Sequence, residues 1–150
     1  MNKYQDSKIY KLIDDMNDLI YIGSTTNELK KRLWKHISHY NQYVKGNNKY
    51  KYVTSFEIIK RGNFRIELME HYPCESKREL SVREGYYIKS NNCVNKRIEG
   101  RTKKEWKQNN YDKLHEKFNC DKCGGSYTRK HKWDHNQTQK HIDSLNIIIN

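Results

Sequence analysis

The chain has 150 residues, enough for one domain or for one domain with a small module beside it. Only 34% of them are hydrophobic, yet twelve Tyr, three Trp and three Phe can supply a core, and no stretch is apolar enough to span a membrane. Thirty Lys and Arg against eighteen Asp and Glu leave a net charge of +12, which favours a polyanionic partner because each neutralised phosphate releases counterions. The segment Met1-Asn2-Lys3-Tyr4-Gln5-Asp6 lacks the apolar core of a signal peptide, so an intracellular location, cytoplasm or nucleus, with reduced thiols is expected. The four Cys then read as free thiols or metal ligands. Cys120 and Cys123 form a Cys-x2-Cys pair, whereas Cys74 and Cys93 stand alone and are expected in a core.

Taken in chain order, residues 8–13 and 19–24 read as two strands joined by the polar turn 14–18, a hairpin that puts Tyr10 and Tyr21 on one small sheet. Thr25 and Glu28 have capping-box spacing and predict a helix to about Tyr40, with Leu29, Leu33, Ile37 and Tyr40 as its apolar stripe. Arg32 and His36, four apart, share a neighbouring face. Residues 41–52 are polar and predict a loop, 53–60 a short helix, and 64–69 a half-buried strand. Ser76 and Glu79 form a second capping-box pattern before a helix to about Ser90, whose stripe is Leu80, Glu84, Tyr87 and Ile88. A carboxylate in such a stripe requires an ion pair or a metal, and periodicity alone leaves both open. A short extended segment, Cys93 to Lys96, follows. From Arg101 to Lys117 basic residues crowd a segment with few aliphatics, an exposed helix or a flexible arm.

Beyond that segment, Cys120 and Cys123 sit at the tip of an expected β-hairpin, and His135 and His141 follow on an expected helix. Four such ligands suit tetrahedral Zn2+. Phe118, Tyr127 and Trp133 stand where the C2H2 zinc-finger family, which this stretch resembles, places its three core residues. Eleven residues separate Cys123 from His135, one fewer than the usual ~12, and five separate the two His. Pairing His131 with His135 instead would leave too little chain for hairpin and helix. Arg129, Lys130, Lys132 and Lys140 suit phosphate contacts, although a single finger spans only about three base pairs and protein contact is the alternative use.

Lys8-Ile9-Tyr10 and Tyr21-Ile22-Gly23, ten residues apart on a hairpin, then Arg32, His36, Glu84 and Asn95 in order, resemble the GIY-YIG nucleases over about residues 7–97, in the form found in large DNA viruses and homing endonucleases. The first triplet departs from the pattern, with Lys8 where the family commonly has Gly. The resemblance implies an α/β (α+β) fold, with a small three-stranded antiparallel sheet flanked by helices, to which the sequence adds a small ββα zinc finger. It also implies hydrolysis of DNA phosphodiesters at a single divalent-metal site, one strand per encounter, with Mg2+ or Mn2+ on Glu84. Arg32 would clamp the phosphate, Tyr10 or Tyr21 orient or deprotonate water, His36 assist proton transfer, and Asn95 position the Glu84 region, with Gly23 and Lys31 beside the substrate. The expected organisation is a nuclease domain (1–100), a basic linker (101–117), a finger (118–142) holding Zn2+ on Cys120, Cys123, His135 and His141, and a tail (143–150). Arm and finger would hold DNA; the sequence carries no signal for an oligomeric state. Three alternatives remain: an inactive nucleic-acid-binding module, an enzyme for RNA or branched DNA, and an adaptor working through the finger and the apolar tail from Leu145 to Ile149.

Overall fold

In the computed structural model, which describes residues 2–146, the hairpin forms as Lys8–Asp14 (β1) and Ile20–Thr25 (β2), and Phe64–His71 (β3) adds to the other side of β1. The order is β2-β1-β3, antiparallel throughout, with Tyr10 opposite Gly23 and Leu12 opposite Tyr21. A register shift between Ile9 and Tyr10 against β3 marks a bulge beside the first triplet, the kind of irregularity that re-aims a side chain. As the central strand, β1 is covered on both faces, and Ile9, Tyr10 and Leu12 are fully buried.

Alternation along the strands divides the apolar residues between two layers. Ile9 and Ile22 pack with Leu80 and Ile88 of the helix Lys77–Ser90 (α3) and with Cys74. Tyr10 and Leu12 pack with the stripe Leu29, Leu33, Ile37 and Tyr40 of Leu29–Val44 (α1), and with Ile58 and Ile59 of Phe56–Ile59 (α2). The sheet is therefore a middle layer between α3 on one face and α1 with α2 on the other. Cys93 is half-buried against the α3 layer, and all four Cys are free thiols.

Three expectations at helix ends need correction. Thr25 does not cap α1: it closes β2 opposite Lys8, its Oγ1 accepts from the Asn27 amide at 3.0 Å, and the helix begins at Leu29 with no side-chain cap. The helix also runs past Tyr40 to Val44, where Tyr40 and Tyr43 pack on Phe56 at ring separations of 5.4 and 5.2 Å. Ser76 does cap α3, accepting from the Glu79 amide at 3.3 Å, but Glu79 accepts from the Glu75 amide rather than that of Ser76.

The chain divides into two units, Met1–Arg101 and Thr102–Asn150. In the second, the basic segment forms Lys103–Asn109 (α4) and Tyr111–His115 (α5), and Thr102 with Glu105 makes a complete capping box. The hairpin Lys117–Asn119 (β4) and Ser126–Thr128 (β5) precedes Lys132–Asn136 (α6) and Gln139–Asn146 (α7). The single finger helix of the expected ββα unit is thus two helices with a break at Gln137 and Thr138. Trp133 is 71% exposed and is not a core residue. With α6 only five residues long, His135, stacked on Tyr127 at 4.8 Å, and the buried His141 occupy the side facing the hairpin instead. The tail beyond Asn146, and with it most of the apolar segment ending at Ile149, lies outside the described residues. Among the described residues no helix is long and apolar enough to cross a membrane.

Candidate active site and candidate metal centre

Helices from opposite faces of the sheet meet beside edge strand β2. Arg32 from α1, Glu84 from α3, and Tyr21, Ser24 and Thr25 from β2 line one open cavity of about 540 Å3, together with Lys3, Lys77 and Glu99. Asn95 joins Tyr21, Glu84, Lys96, Arg97 and Glu99 around an adjoining one of about 500 Å3.

Behind these cavities a chain of hydrogen bonds fixes Arg32. Its Nε donates to the Tyr10 hydroxyl at 2.7 Å, which lies 2.7 Å from His36 Nε2, and His36 Nδ1 lies 3.1 Å from Ser55 Oγ. Burial first, and the Arg32 charge second, push the His36 imidazole down to about 3, so it is neutral at ordinary pH. With Arg32 donating to it, Tyr10 Oη donates onward to unprotonated Nε2, and the Nδ1–H faces Ser55. Tyr10 is fully enclosed, and burial raises its phenol well above the ordinary range. Tyr21 lines the cavity; burial and then the Glu84 charge push its phenol up to about 12, so it remains a hydroxyl donor. Burial works against the Arg32 charge, but Tyr10, Tyr21 and Glu84 more than offset it and the guanidinium stays protonated.

Glu84 is 8% exposed and accepts from Ser24 Oγ at 2.5 Å. Among the described residues it has no ion pair within 4.0 Å, so the ordinary explanation for a buried carboxylate is missing. Burial raises its pKa, the Glu99 charge raises it further, and Ser24 and Arg32 work in the opposite direction. Two glycines bring Glu99 there. A Cβ on Gly85 would stand 2.1 Å from the Glu99 carbonyl, and Gly100, at φ +69°, lies against the Val82 backbone, where a Cβ would approach to 2.6 Å.

Asn95 binds the outer edge of β2 with both ends of its amide, accepting from Ile22 N at 2.9 Å and donating to Ile22 O at 2.8 Å. Gly23 is buried, and a Cβ there would lie 2.5 Å from the Tyr10 hydroxyl, so the glycine makes room for that ring. Lys31 does not line the cavity and stands exposed, 4.0 Å from Glu28. Sequence reasoning missed Lys3, Ser24, Lys77 and Glu99. Only Glu99 left a trace in the sequence, as a carboxylate directly before a glycine.

In the second unit, the ligand atoms of Cys120, Cys123, His135 and His141 all lie within 4.8 Å of one another. Cys120 Sγ is 3.3 Å from His141 Nδ1, and Cys123 Sγ is 3.5 Å from His135 Nε2, spacings compatible with four ligands on one tetrahedral ion. His135 first, and then the amides of Cys123 and Lys122, pull the Cys120 thiol down to about 6, favouring the thiolate that a metal needs. His131 is outside the cluster, paired with Asp134 at 2.9 Å. Lys130, Lys132 and Lys140 are exposed, and the exposed Arg129 lies over the Phe118 ring at 5.7 Å.

The family described as "GIY-YIG catalytic domain" matches residues 7–98. No curated protein matches the chain. Among solved structures, the catalytic domain of the homing endonuclease I-TevI is similar at 23% identity, covering 61% of this chain and 98% of that one, with a TM-score of 0.45. Since the family match takes in more than half of the chain, the protein belongs to the GIY-YIG family and is a nuclease.

Proposed function

We propose that the protein is an endonuclease that hydrolyses DNA phosphodiester bonds with the help of a divalent cation, one strand at each active site. The observation that carries this reading is the open cavity where Glu84, Arg32 and Tyr21 converge. A buried carboxylate with one neutral donor and no ion pair among the described residues fits a hard cation, which takes one or two protein carboxylates and keeps much of its water. Glu84 would hold Mg2+ or Mn2+, and the adjacent Glu99 adds negative charge to the same site. A cation bound there supplies positive charge against the oxyanion that develops on the phosphate.

The protein's own residues supply the rest. Arg32 has Nε committed to Tyr10, which leaves the terminal nitrogens of its fork for phosphate oxygens. Lys3 and Lys77 add cationic wall for the flanking strand. Tyr21, held as a neutral phenol, orients the attacking water. Tyr10 and His36 act behind it, the neutral imidazole accepting from the Tyr10 hydroxyl and so holding Arg32 in position. Asn95 keeps the β2 edge, and with it Tyr21 and Ser24, in place. In the second unit Zn2+ on the Cys2His2 cluster would hold the finger together, as small modules of this size require. The basic helices and the finger would bind the DNA backbone.

The test is a supercoiled plasmid incubated with the zinc-loaded chain, with and without Mg2+. Open-circular product that forms only with Mg2+, and before any linear product, is expected. No Mg2+-dependent product, or linear product formed first, would overturn the reading.

A further inference from the structure

The cleavage site uses nothing from the concavity of about 870 Å3 in the second unit. Its walls are aromatic: Trp106 of α4 and Tyr111 and His115 of α5. Trp106 is 41% and Tyr111 60% exposed, high values for rings that a folded domain would normally bury. The Tyr111 ring is braced, with His115 stacked on it at 4.1 Å and 28° and His115 Nδ1 2.8 Å from the Tyr111 carbonyl oxygen. Lys104 and Lys107 from α4 and Lys130 from the 3-10 turn Arg129–His131 border the same space, and among the described residues no carboxylate lines it. A smaller concavity of about 260 Å3 shares Trp106 and Lys130.

The combination narrows the occupant. An apolar peptide would match the rings but leave several ammonium groups facing it unpaired. Duplex DNA would match the ammonium groups but keeps its bases stacked on each other, away from the rings. A single-stranded nucleotide presents an open π-face and a phosphate together, and stacking on aromatic side chains beside a cationic groove is how unpaired strands are held. We propose that this cavity takes an unpaired base of single-stranded DNA, stacked against Tyr111 and Trp106, with the flanking phosphates on Lys104, Lys107 and Lys130. A nuclease so equipped would grip DNA at nicks, flaps or frayed ends. The inference rests on the reading of the substrate as DNA but not on the cleavage step.

The test is fluorescence anisotropy with the full zinc-loaded chain and no Mg2+, using a labelled oligothymidylate and a labelled hairpin duplex. Tyr111→Leu keeps apolar bulk but loses the aromatic face. It should weaken oligothymidylate binding about tenfold, in the range that loss of one stacked base gives, and change duplex binding less than about twofold. Tyr111→Trp should bind oligothymidylate at least as tightly as the wild type. Equal losses on both probes, or no loss on oligothymidylate, would overturn the proposal, as would a Tyr111→Trp protein that holds its zinc but binds as weakly as Tyr111→Leu. Because cutting is not read, failure here is distinguishable from failure of the nuclease reading, which the plasmid assay reports.

Discussion

A histidine that ordinarily titrates near 6.5 is held neutral at His36 down to about 3, because it is buried and faces Arg32. Below pH ~6.5 the unfolded chain takes up a proton at this residue and the folded protein does not. The stabilisation is therefore complete above 6.5 and is lost as the pH falls toward 3. Urea unfolding of the wild type and of His36→Gln, which has no such proton to bind, checks this. The stability advantage of the wild type should shrink on acidification from neutral pH to about pH 4, and an advantage that stays constant would contradict the assignment. The residues in this network were legible as types and spacings: Tyr10, Arg32 and His36 stood in order along the chain. What Gly23 does was not legible. It completes the second triplet in the sequence, but that its missing side chain makes room for the Tyr10 hydroxyl follows only from the register of β1 on β2. The place of Glu99 beside Glu84 was not legible for a similar reason, since it depends on Gly85 and Gly100 letting backbones approach closely.

At the scale of elements, the exposed edge of β2 is closed by a two-residue stretch acting as a strand. Val94 N donates to Ile20 O at 2.8 Å, and the Asn95 amide supplies the next donor and acceptor to Ile22. Asn95→Ala would leave both Ile22 groups without these partners, and a cost of about 1–3 kcal/mol is expected. It should be measured as a fall in the urea midpoint, accompanied by slower cleavage because Tyr21 adjoins that bond pair and Ser24 lies two residues beyond it on β2. Unchanged stability would show that water replaces the side chain without loss. The strands and α3 were read from the sequence with nearly correct limits, because alternation and the Ser76 cap are local signals. The Thr25 cap was misread since tertiary pairing with Lys8 holds Thr25 extended, and propensity yields to such pairing. The end of α1 was misread because Phe56, distant in sequence, supplies the surface on which Tyr43 packs.

For the whole molecule, the charge of +12 and the two kinds of candidate metal site were apparent from the sequence, and the match over residues 7–98 agrees with the part read as the nuclease. For the basic segment the sequence left an exposed helix and a flexible arm both open, because α4 and α5 are short and nearly all exposed, with no apolar period to decide between them, and its grouping with the finger in one unit was not apparent. In the proposed function, cleavage turns on one carboxylate, Glu84. The most direct test of that role is nicking of supercoiled plasmid in Mg2+ by the wild type and by Glu84→Ala, each shown to retain zinc and to bind DNA. Nicking by the wild type, with the variant slowed by at least about a hundredfold as expected when a catalytic electrostatic group is removed, is the predicted result. Equal nicking by the two proteins would overturn the proposed role of Glu84, because the cut would then owe nothing to that carboxylate.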